Sequence, residues 1–197
     1  MIKKINWDTL AAVYPILRKN PLSKYFLIKE TKALLGLLSE IDDPGADNVI
    51  DLGVGRGHSL SLVAGERRFL AGLDISYKML HKTRHHQRTV AMTQGDILHL
   101  PFKNASFDLA LCVGVMEYIP DINALLFGIS QIIRENKFLL ITNSPPGLLS
   151  HLRKWNGQPI YPRKKAEVEQ AFSASSFQTI GATTTPMQDQ YLLKKFS

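Results

Sequence analysis

The sequence predicts an α/β protein with a doubly wound, mostly parallel seven-stranded sheet, an antiparallel last strand and an N-terminal helical cap. Three features of the chain predict this class. Short apolar segments alternate with helical segments from residue 45 onwards, these segments are apolar along their length, and a glycine-rich turn follows the first of them. Strands of this composition are typical of a parallel sheet that helices cover on both faces.

The segment before the first strand is expected to be helical. From residue 7 to residue 41, apolar side chains recur at helical spacing, and Pro15 and Pro21 interrupt the pattern, which indicates two or three helices. The turn sequence Asp42-Asp43-Pro44-Gly45 follows. We therefore expect one domain with a helical cap over 1–44, a binding core over 45–143, and a variable loop and C-terminal hairpin over 144–197.

Strands and helices alternate regularly in the core. Strands are expected at 49–52, 69–73, 90–92, 109–113 and 138–142, and helices from 58, at 77–83 and at 123–133. After the core, a helix is expected at 167–174 and strands at 177–185 and 191–196. Only residues 186–189 join the last two strands, and so short a link favours an antiparallel hairpin.

The composition is that of an ordinary globular protein. Of the 197 residues, 45% are hydrophobic and 21% are charged, which is enough for one domain with a full core. The single cysteine, Cys112, lies in an apolar run and excludes an intramolecular disulfide. No apolar run approaches membrane-spanning length, so we expect a cytoplasmic protein without a membrane span. The oligomeric state stays open.

The formal net charge of +7 favours acidic partners such as RNA, an acyl carrier protein or an anionic membrane surface. Basic residues cluster at 78–88 and 153–165. Without an aromatic-rich RNA-binding motif, a solvated helix face and a solvated loop are the favoured interpretation of the two clusters. His81 and His85 have the spacing of metal ligands on a helix, but no third ligand accompanies them, so no metal site is predicted.

The glycine-rich turn, Asp51-Leu52-Gly53-Val54-Gly55-Arg56-Gly57, predicts a site for a nucleotide-like molecule. Glycine lacks Cβ, so it allows positive φ and close approach of a ligand to the backbone. The dinucleotide fingerprint needs a further glycine where His58 stands, which makes a nicotinamide dehydrogenase a weak alternative. A carboxylate at Asp51 would repel a pyrophosphate and attract a cationic group.

Further candidate residues follow the next strands. Asp74 comes after the second strand, close to the interval at which an acidic residue reaches ribose hydroxyls, and Gly95 and Asp96 come after the third. The segment 114–118 follows the fourth strand. Because ligands of open α/β sheets bind beyond the carboxyl ends of the strands, these positions are expected to meet at one site.

In this order, four segments resemble the motifs of the class I S-adenosylmethionine-dependent methyltransferases, specifically the small-molecule branch that includes the ubiquinone and menaquinone biosynthesis enzymes. The segments are 49–57, 72–80, 95–102 and 106–121. The resemblance covers roughly residues 49–143 and implies a Rossmann-like methyltransferase fold. It also implies S-adenosylmethionine as cofactor, with S-adenosylhomocysteine as product.

The resemblance implies roles for residues around the methionine part of this cofactor. Gly53, Gly55 and Gly57 would line the methionine and the ribose. Asp51 would hold the methionine ammonium, directly or through water, and the Val113 backbone would meet the same group.

The adenosine part has its own implied set of residues. Asp74 would accept hydrogen bonds from both ribose hydroxyls, because a carboxylate has two acceptor oxygens. Asp96 would accept from the adenine amino group, and Ile75, Met79 and Ile97 would sandwich the ring.

No catalytic residue is assigned, because histidine is frequent in the family where Glu117 and Tyr118 stand. These two lie nearest the expected methyl group and are weak candidates, and a structural role is favoured for both. The same holds for Tyr14, His151 and Tyr161 in the flanking segments. Residues 134–137 replace the family's Lys-Pro-Gly-Gly, and residues 143–146, Asn-Ser-Pro-Pro, are expected to form a loop.

The function implied is methyl transfer to an unidentified small molecule by in-line displacement. Two alternatives stay open. The acceptor is an RNA or a carrier-protein-bound acid, as the basic charge suggests, or the chain is a binding protein for S-adenosylmethionine without activity of its own.

Overall fold

The computed structural model describes residues 7–8, 21–43, 46–63, 69–84, 90–147, 150–151 and 159–196. Its helices are α1 (Pro21–Leu38), α2 (His58–Ser61), α3 (Tyr77–Arg84), α4 (Ile122–Ile132) and α5 (Lys165–Ala174). Its strands are β1 (Asn48–Leu52), β2 (Phe69–Asp74), β3 (Ala91–Gln94), β4 (Phe107–Cys112), β5 (Ile133–Asn143), β6 (Phe177–Thr184) and β7 (Asp189–Lys195). A 3₁₀ turn at Met116–Tyr118 follows β4.

The strands form one seven-stranded sheet in the order β3-β2-β1-β4-β5-β7-β6. Neighbours from β3 to β5 pair in parallel, whereas β7 pairs antiparallel with both β5 and β6. The predicted fold class, with its antiparallel last strand, is therefore confirmed. Because the chain adds β2 and β3 on one side of β1 and then returns to place β4 on the other, a crevice lies at the carboxyl ends of β1 and β4.

Helices cover both faces of the sheet. On one face, Leu125 of α4 and Phe172 of α5 share a buried cluster with Ile141. On the other face, Leu34 of α1 shares a buried cluster with Leu140. Consecutive side chains of a strand point to opposite faces, so the apolar run of β5 serves both layers.

The join between α4 and β5 differs from the expectation. Strand β5 begins at Ile133, directly after the end of α4, rather than at residue 138. Asn136 takes a left-handed φ of 60° within this stretch. Arg134 donates a hydrogen bond to Asp108 of β4 over 2.6 Å. Residues 134–137 are therefore part of strand β5 and do not form a separate turn.

The described part of the cap consists of α1 and a helical turn at Trp7 and Asp8, while Pro15 and Tyr14 lie outside the described residues. None of the helices in the described ranges combines the length and the apolar content needed to cross a bilayer.

We expect Asp108→Asn to lower the free energy of unfolding by about 2 kcal/mol at pH 7. Burial raises the pKa of this carboxyl, but hydrogen bonds from Arg134 and Asn48 outweigh it and hold the pKa below the ordinary 3.8. The carboxylate therefore stabilises the fold above pH 3.8, and this contribution is lost as the pH falls through the lowered pKa.

Urea unfolding of wild type and variant at pH 7 and at about pH 3 measures the effect. The exposed Asp42→Asn is the matched control, and it should change little at either pH. A difference for Asp108→Asn that is equal at both pH values would show that the charge of Asp108 does not stabilise the sheet.

Candidate active site

The glycine turn after β1 has the backbone shape expected from its sequence. Gly53, Gly55 and Gly57 have φ values of 78°, 51° and 77°, in the left-handed region that favours glycine. A Cβ at Gly53 would overlap with the side chain of Val115. The Gly53 amide donates to the carbonyl of Leu73 over 2.7 Å, which ties the turn to the end of β2. The turn is thus held in a fixed shape at the end of β1.

Asp51, at the end of β1, is a fully buried carboxyl with one occupied oxygen. Ser59 of α2 donates to its Oδ2 over 2.6 Å, while Oδ1 has no hydrogen-bond partner among the described residues. Burial raises the pKa of Asp51 to about 7, the bond from Ser59 opposes this shift, and the charge of Asp74 adds to it. A cation placed at Oδ1 would restore the carboxylate form and fill the missing bond.

Asp74 holds the glycine turn and the start of α3 together. Its Oδ2 accepts from the Gly55 amide and its Oδ1 from the Ser76 amide, each over 2.8 Å. Burial raises the pKa of this carboxyl, and the two amide bonds oppose the shift. Each carboxylate oxygen accepts more than one hydrogen bond, so Asp74 retains capacity for two ligand hydroxyls.

The residues expected around adenine lie at the ends of β2 and β3, which are adjacent strands. The Gly95 amide donates to the carbonyl of Asp74 over 3.1 Å, which joins the two strand ends. The Ile75 side chain is 51% exposed, although it is apolar, while Met79 and Ile97 are buried. Asp96 is exposed and accepts from the Leu98 amide. Of the three apolar residues, Ile75 alone is exposed, and Asp96 follows the adjacent strand.

The fourth strand end brings Glu117 and Tyr118 to the other side of the crevice. Gly114 turns the chain there with a φ of 69°, and its amide donates to Thr142 Oγ1 over 2.8 Å. Glu117 is buried, with Ser144 Oγ 3.2 Å from its Oε1. Burial, followed by the charges of Asp51 and Glu117, raises the pKa of the Cys112 thiol. Two buried carboxyls therefore share the neighbourhood of one thiol at the end of β4.

Arg163 organises this side of the site, and sequence analysis missed it. The expectation of a solvated loop over 153–165 is wrong for this residue, because Arg163 is 4% exposed. Its guanidinium donates to four backbone carbonyls, those of Met116, Tyr161, Ile119 and Pro120 at 3.1, 3.2, 2.5 and 2.9 Å. We call this set of bonds the Arg163 clamp. An arginine in a basic stretch gives no signal in sequence that its partners are carbonyls far along the chain.

Two more contacts join the clamp to the site. The Tyr161 amide donates to the Glu117 carbonyl over 2.6 Å, and Asn143 Nδ2 donates to the Arg163 carbonyl over 2.9 Å. The Asn143-Ser144 sequence, expected to be part of a loop, thus contributes the last residue of β5 and a hydroxyl to the site. His151 is exposed and belongs to neither contact.

The N-terminal segment lies across the same edge of the sheet. Asp8 Oδ1 accepts from Ser76 Oγ over 2.5 Å and from the Lys78 amide over 3.2 Å, at the start of α3. The ring of Trp7 meets Tyr118 edge-on with 4.7 Å between centroids. Because Ser76 follows β2 and Tyr118 follows β4, residues 7–8 bridge the two sides of the crevice.

Residues 50–141 match the family model described as Methyltransferase domain. The chain is 31% identical over 94 residues to a demethylmenaquinone methyltransferase of Corynebacterium kroppenstedtii, covering 48% of this chain and 40% of the relative. It is 24% identical over 145 residues to a ubiquinone biosynthesis O-methyltransferase of Glaesserella parasuis, covering 69% and 57%. Across the matching curated relatives, the chain covers 37% to 57% of their length.

The fold has a close counterpart among solved structures. Magnesium protoporphyrin IX methyltransferase of Synechocystis, with bound S-adenosylhomocysteine, superposes with a TM-score of 0.69 at 21% identity, over 89% of this chain and 88% of that one. The strand order, the left-handed glycine turn and the family match agree with one another. The chain therefore shares the fold of the S-adenosylmethionine-dependent methyltransferases, and its residues 50–141 resemble their domain.

Proposed function

We propose that this chain binds S-adenosylmethionine at the carboxyl ends of β1 to β4 and catalyses methyl transfer to a small molecule, with S-adenosylhomocysteine as product. The buried Asp51, with its unpartnered Oδ1 beside the glycine turn, is the observation that supports this most. A buried acceptor without a partner is unfavourable unless a ligand completes it. The ammonium of a bound amino-acid moiety has the right charge and the right donors.

The residues around the crevice have chemistry that fits the rest of the cofactor. Asp74 has capacity for the two ribose hydroxyls, and the exposed Ile75 supplies an apolar face for adenine. The remaining residues in this proposal are Met79, Ile97, Asp96, Gly53, Gly55, Gly57 and the Val113 backbone.

When bound, the cofactor supplies a methyl group on a positively charged sulfur. The chain's own residues would act by positioning the acceptor in line with that group and by excluding water. Trp7 and Tyr118, whose rings are in contact, would cover the crevice. Glu117 would contact the acceptor, and no base is required when the acceptor atom already carries a free lone pair.

A small molecule is favoured over RNA or a carrier-protein-bound acid as the acceptor. Arg163 belongs to the basic cluster at 153–165 that could bind an acidic partner, but its side chain is buried in the Arg163 clamp. Residues 7–8 cover part of the crevice, which suits a ligand small enough to be enclosed. We also infer a cytoplasmic location, where the cofactor is made and the single thiol of Cys112 stays reduced.

Incubation of the full chain with S-adenosylmethionine and a panel of phenols, quinols, amines and carboxylic acids tests the activity. We expect S-adenosylhomocysteine to accumulate with at least one class. Tight cofactor binding without product from any class would instead favour the non-catalytic binding protein. No cofactor binding at all would overturn the proposal.

We expect Asp51→Asn to weaken S-adenosylmethionine binding by at least about tenfold. The neutral amide of asparagine cannot form a charge-assisted hydrogen bond with the ammonium of the cofactor. Wild-type affinity for the cofactor should rise as the pH passes through about 7, where Asp51 ionises.

The raised pKa of Asp51 also affects the stability of the protein without ligand, which should fall as the pH rises. Between pH 3.8 and 7 the folded state retains a proton that the unfolded state has lost, so stability falls as the pH rises. The variant should therefore unfold at a higher temperature than wild type at pH 8.

Calorimetric titration and thermal unfolding across this pH range measure both effects. Asp47→Asn, an exposed aspartate just before β1, is the matched control and should change neither. Unchanged cofactor affinity in Asp51→Asn would contradict the assigned role.

We expect Arg163→Lys to lower kcat/KM for the acceptor by about 10- to 100-fold while the cofactor Kd stays within about twofold. Lysine retains the charge but cannot reach four carbonyls in the geometry of the guanidinium fork. The 3₁₀ turn that carries Glu117 and Tyr118 should then lose its position. Arg134→Lys, at the opposite edge of the sheet, is the control for a general loss of stability. Equal losses of cofactor and acceptor binding in Arg163→Lys would contradict a positioning role.

A further inference from the structure

Helix α1 presents an outward face that combines apolar and basic side chains. Its apolar members are Tyr25, Ile28 and Leu35, which are 50%, 59% and 45% exposed. Its basic members are Lys24, Lys29 and Lys32, all exposed. We call these six residues the α1 face.

The two kinds of side chain are interleaved. Lys29 Nζ lies 4.6 Å from the centroid of the Tyr25 ring, which is a cation–π contact. With 3.6 residues per turn, Lys24 and Lys29 fall on opposite borders of the face, and Ile28 and Lys32 fall between them. Glu30, the acidic residue of this helix, lies on the opposite side, where its carbonyl accepts from Gln190 of β7 over 3.2 Å.

The opposite side of α1 packs on the sheet, so the α1 face points away from the core. Leu34 and Leu37 are buried in the core, at 2% and 3% exposure. Thr31 Oγ1 lies 3.0 Å from Nε2 of His58, the residue after the glycine turn. This contact places Thr31, in the middle of α1, beside the residue that follows the glycine turn.

We propose that the α1 face docks on an anionic phospholipid surface. Lys24 and Lys29 at the borders of the face, and Lys32 within it, can extend their methylene stems along the apolar side chains and hold their ammonium groups at the lipid phosphates. Isoleucine and leucine then enter the acyl boundary, and the tyrosine ring lies at the headgroup level. A second copy of the chain is a poor occupant, because a two-fold contact would place the same lysines against each other.

The docking stands independently of methyl transfer. If the proposed function also holds, a crevice that opens beside a bilayer would receive an acceptor dissolved in the lipid. Cofactor binding and vesicle binding are separate measurements, so the failure of either proposal can be told from the failure of the other.

Flotation of the full chain with vesicles of phosphatidylcholine, with and without phosphatidylglycerol, tests the proposal. We expect binding to the anionic vesicles alone, weakened by salt. Replacing Lys24, Lys29 and Lys32 by glutamine should lower binding by at least about tenfold, and Ile28→Ser should also lower it. The matched control replaces Lys103, Lys164 and Lys165 by glutamine, which removes the same charge from exposed positions away from the α1 face.

Equal losses in the control and in the α1 variant would mean that net charge alone drives binding, and would overturn the proposal. So would an absence of binding to anionic vesicles. Sedimentation of the chain without lipid completes the test: a dimer that Ile28→Ser abolishes would assign the α1 face to a second copy instead. Thermal unfolding checks that each variant is folded.

Discussion

The two hydrogen bonds from the Gly55 and Ser76 amides to the carboxylate of Asp74 are the contact on which the rest of the crevice depends. They join the turn after β1 to the start of α3, and Thr83 Oγ1 of the same helix donates to the Gly55 carbonyl over 2.6 Å. A turn with three left-handed residues has no regular ladder of its own to hold it. Its shape is therefore set by these bonds to the neighbouring strand end and helix.

The carboxyls at the crevice show how binding and stability are opposed. Asp51 is buried without a full set of partners, and its pKa of about 7 records the resulting unfavourable free energy of the charged form. An apolar residue at position 51 would give the sheet a larger free energy of unfolding. If Asp51 binds a cationic ligand as proposed, its carboxylate destabilises the protein as long as the ligand is absent.

Much of the fold and half of the candidate site could be predicted from the sequence, because local patterns encode them. The apolar strand runs and the turn residues after them predicted where Asp51 and Asp74 lie, since parallel strands end at one edge. The Arg163 clamp could not be predicted in this way. Three of its four carbonyl partners, those of Met116, Ile119 and Pro120, lie 43 to 47 residues away in the chain. A backbone carbonyl is present in every residue, so the residue types give no sign of these bonds. The same holds for the ring contact between Trp7 and Tyr118, which depends on tertiary packing across more than half of the chain.

This division between local and long-range contacts has a consequence for specificity. The side of the crevice proposed to bind the cofactor is built from turns and strand ends between Asp51 and Ile97, where the contacts join neighbouring elements. The opposite side is built by Arg163, Ser144 and Trp7, which come from segments outside the strands that hold the cofactor. Changes in those outer segments alter the shape presented to the acceptor without moving the glycine turn or Asp74. If the proposed function holds, the chain can share its cofactor-binding half with methyltransferases whose acceptors differ, and the residues that are hardest to interpret from sequence would select its own acceptor.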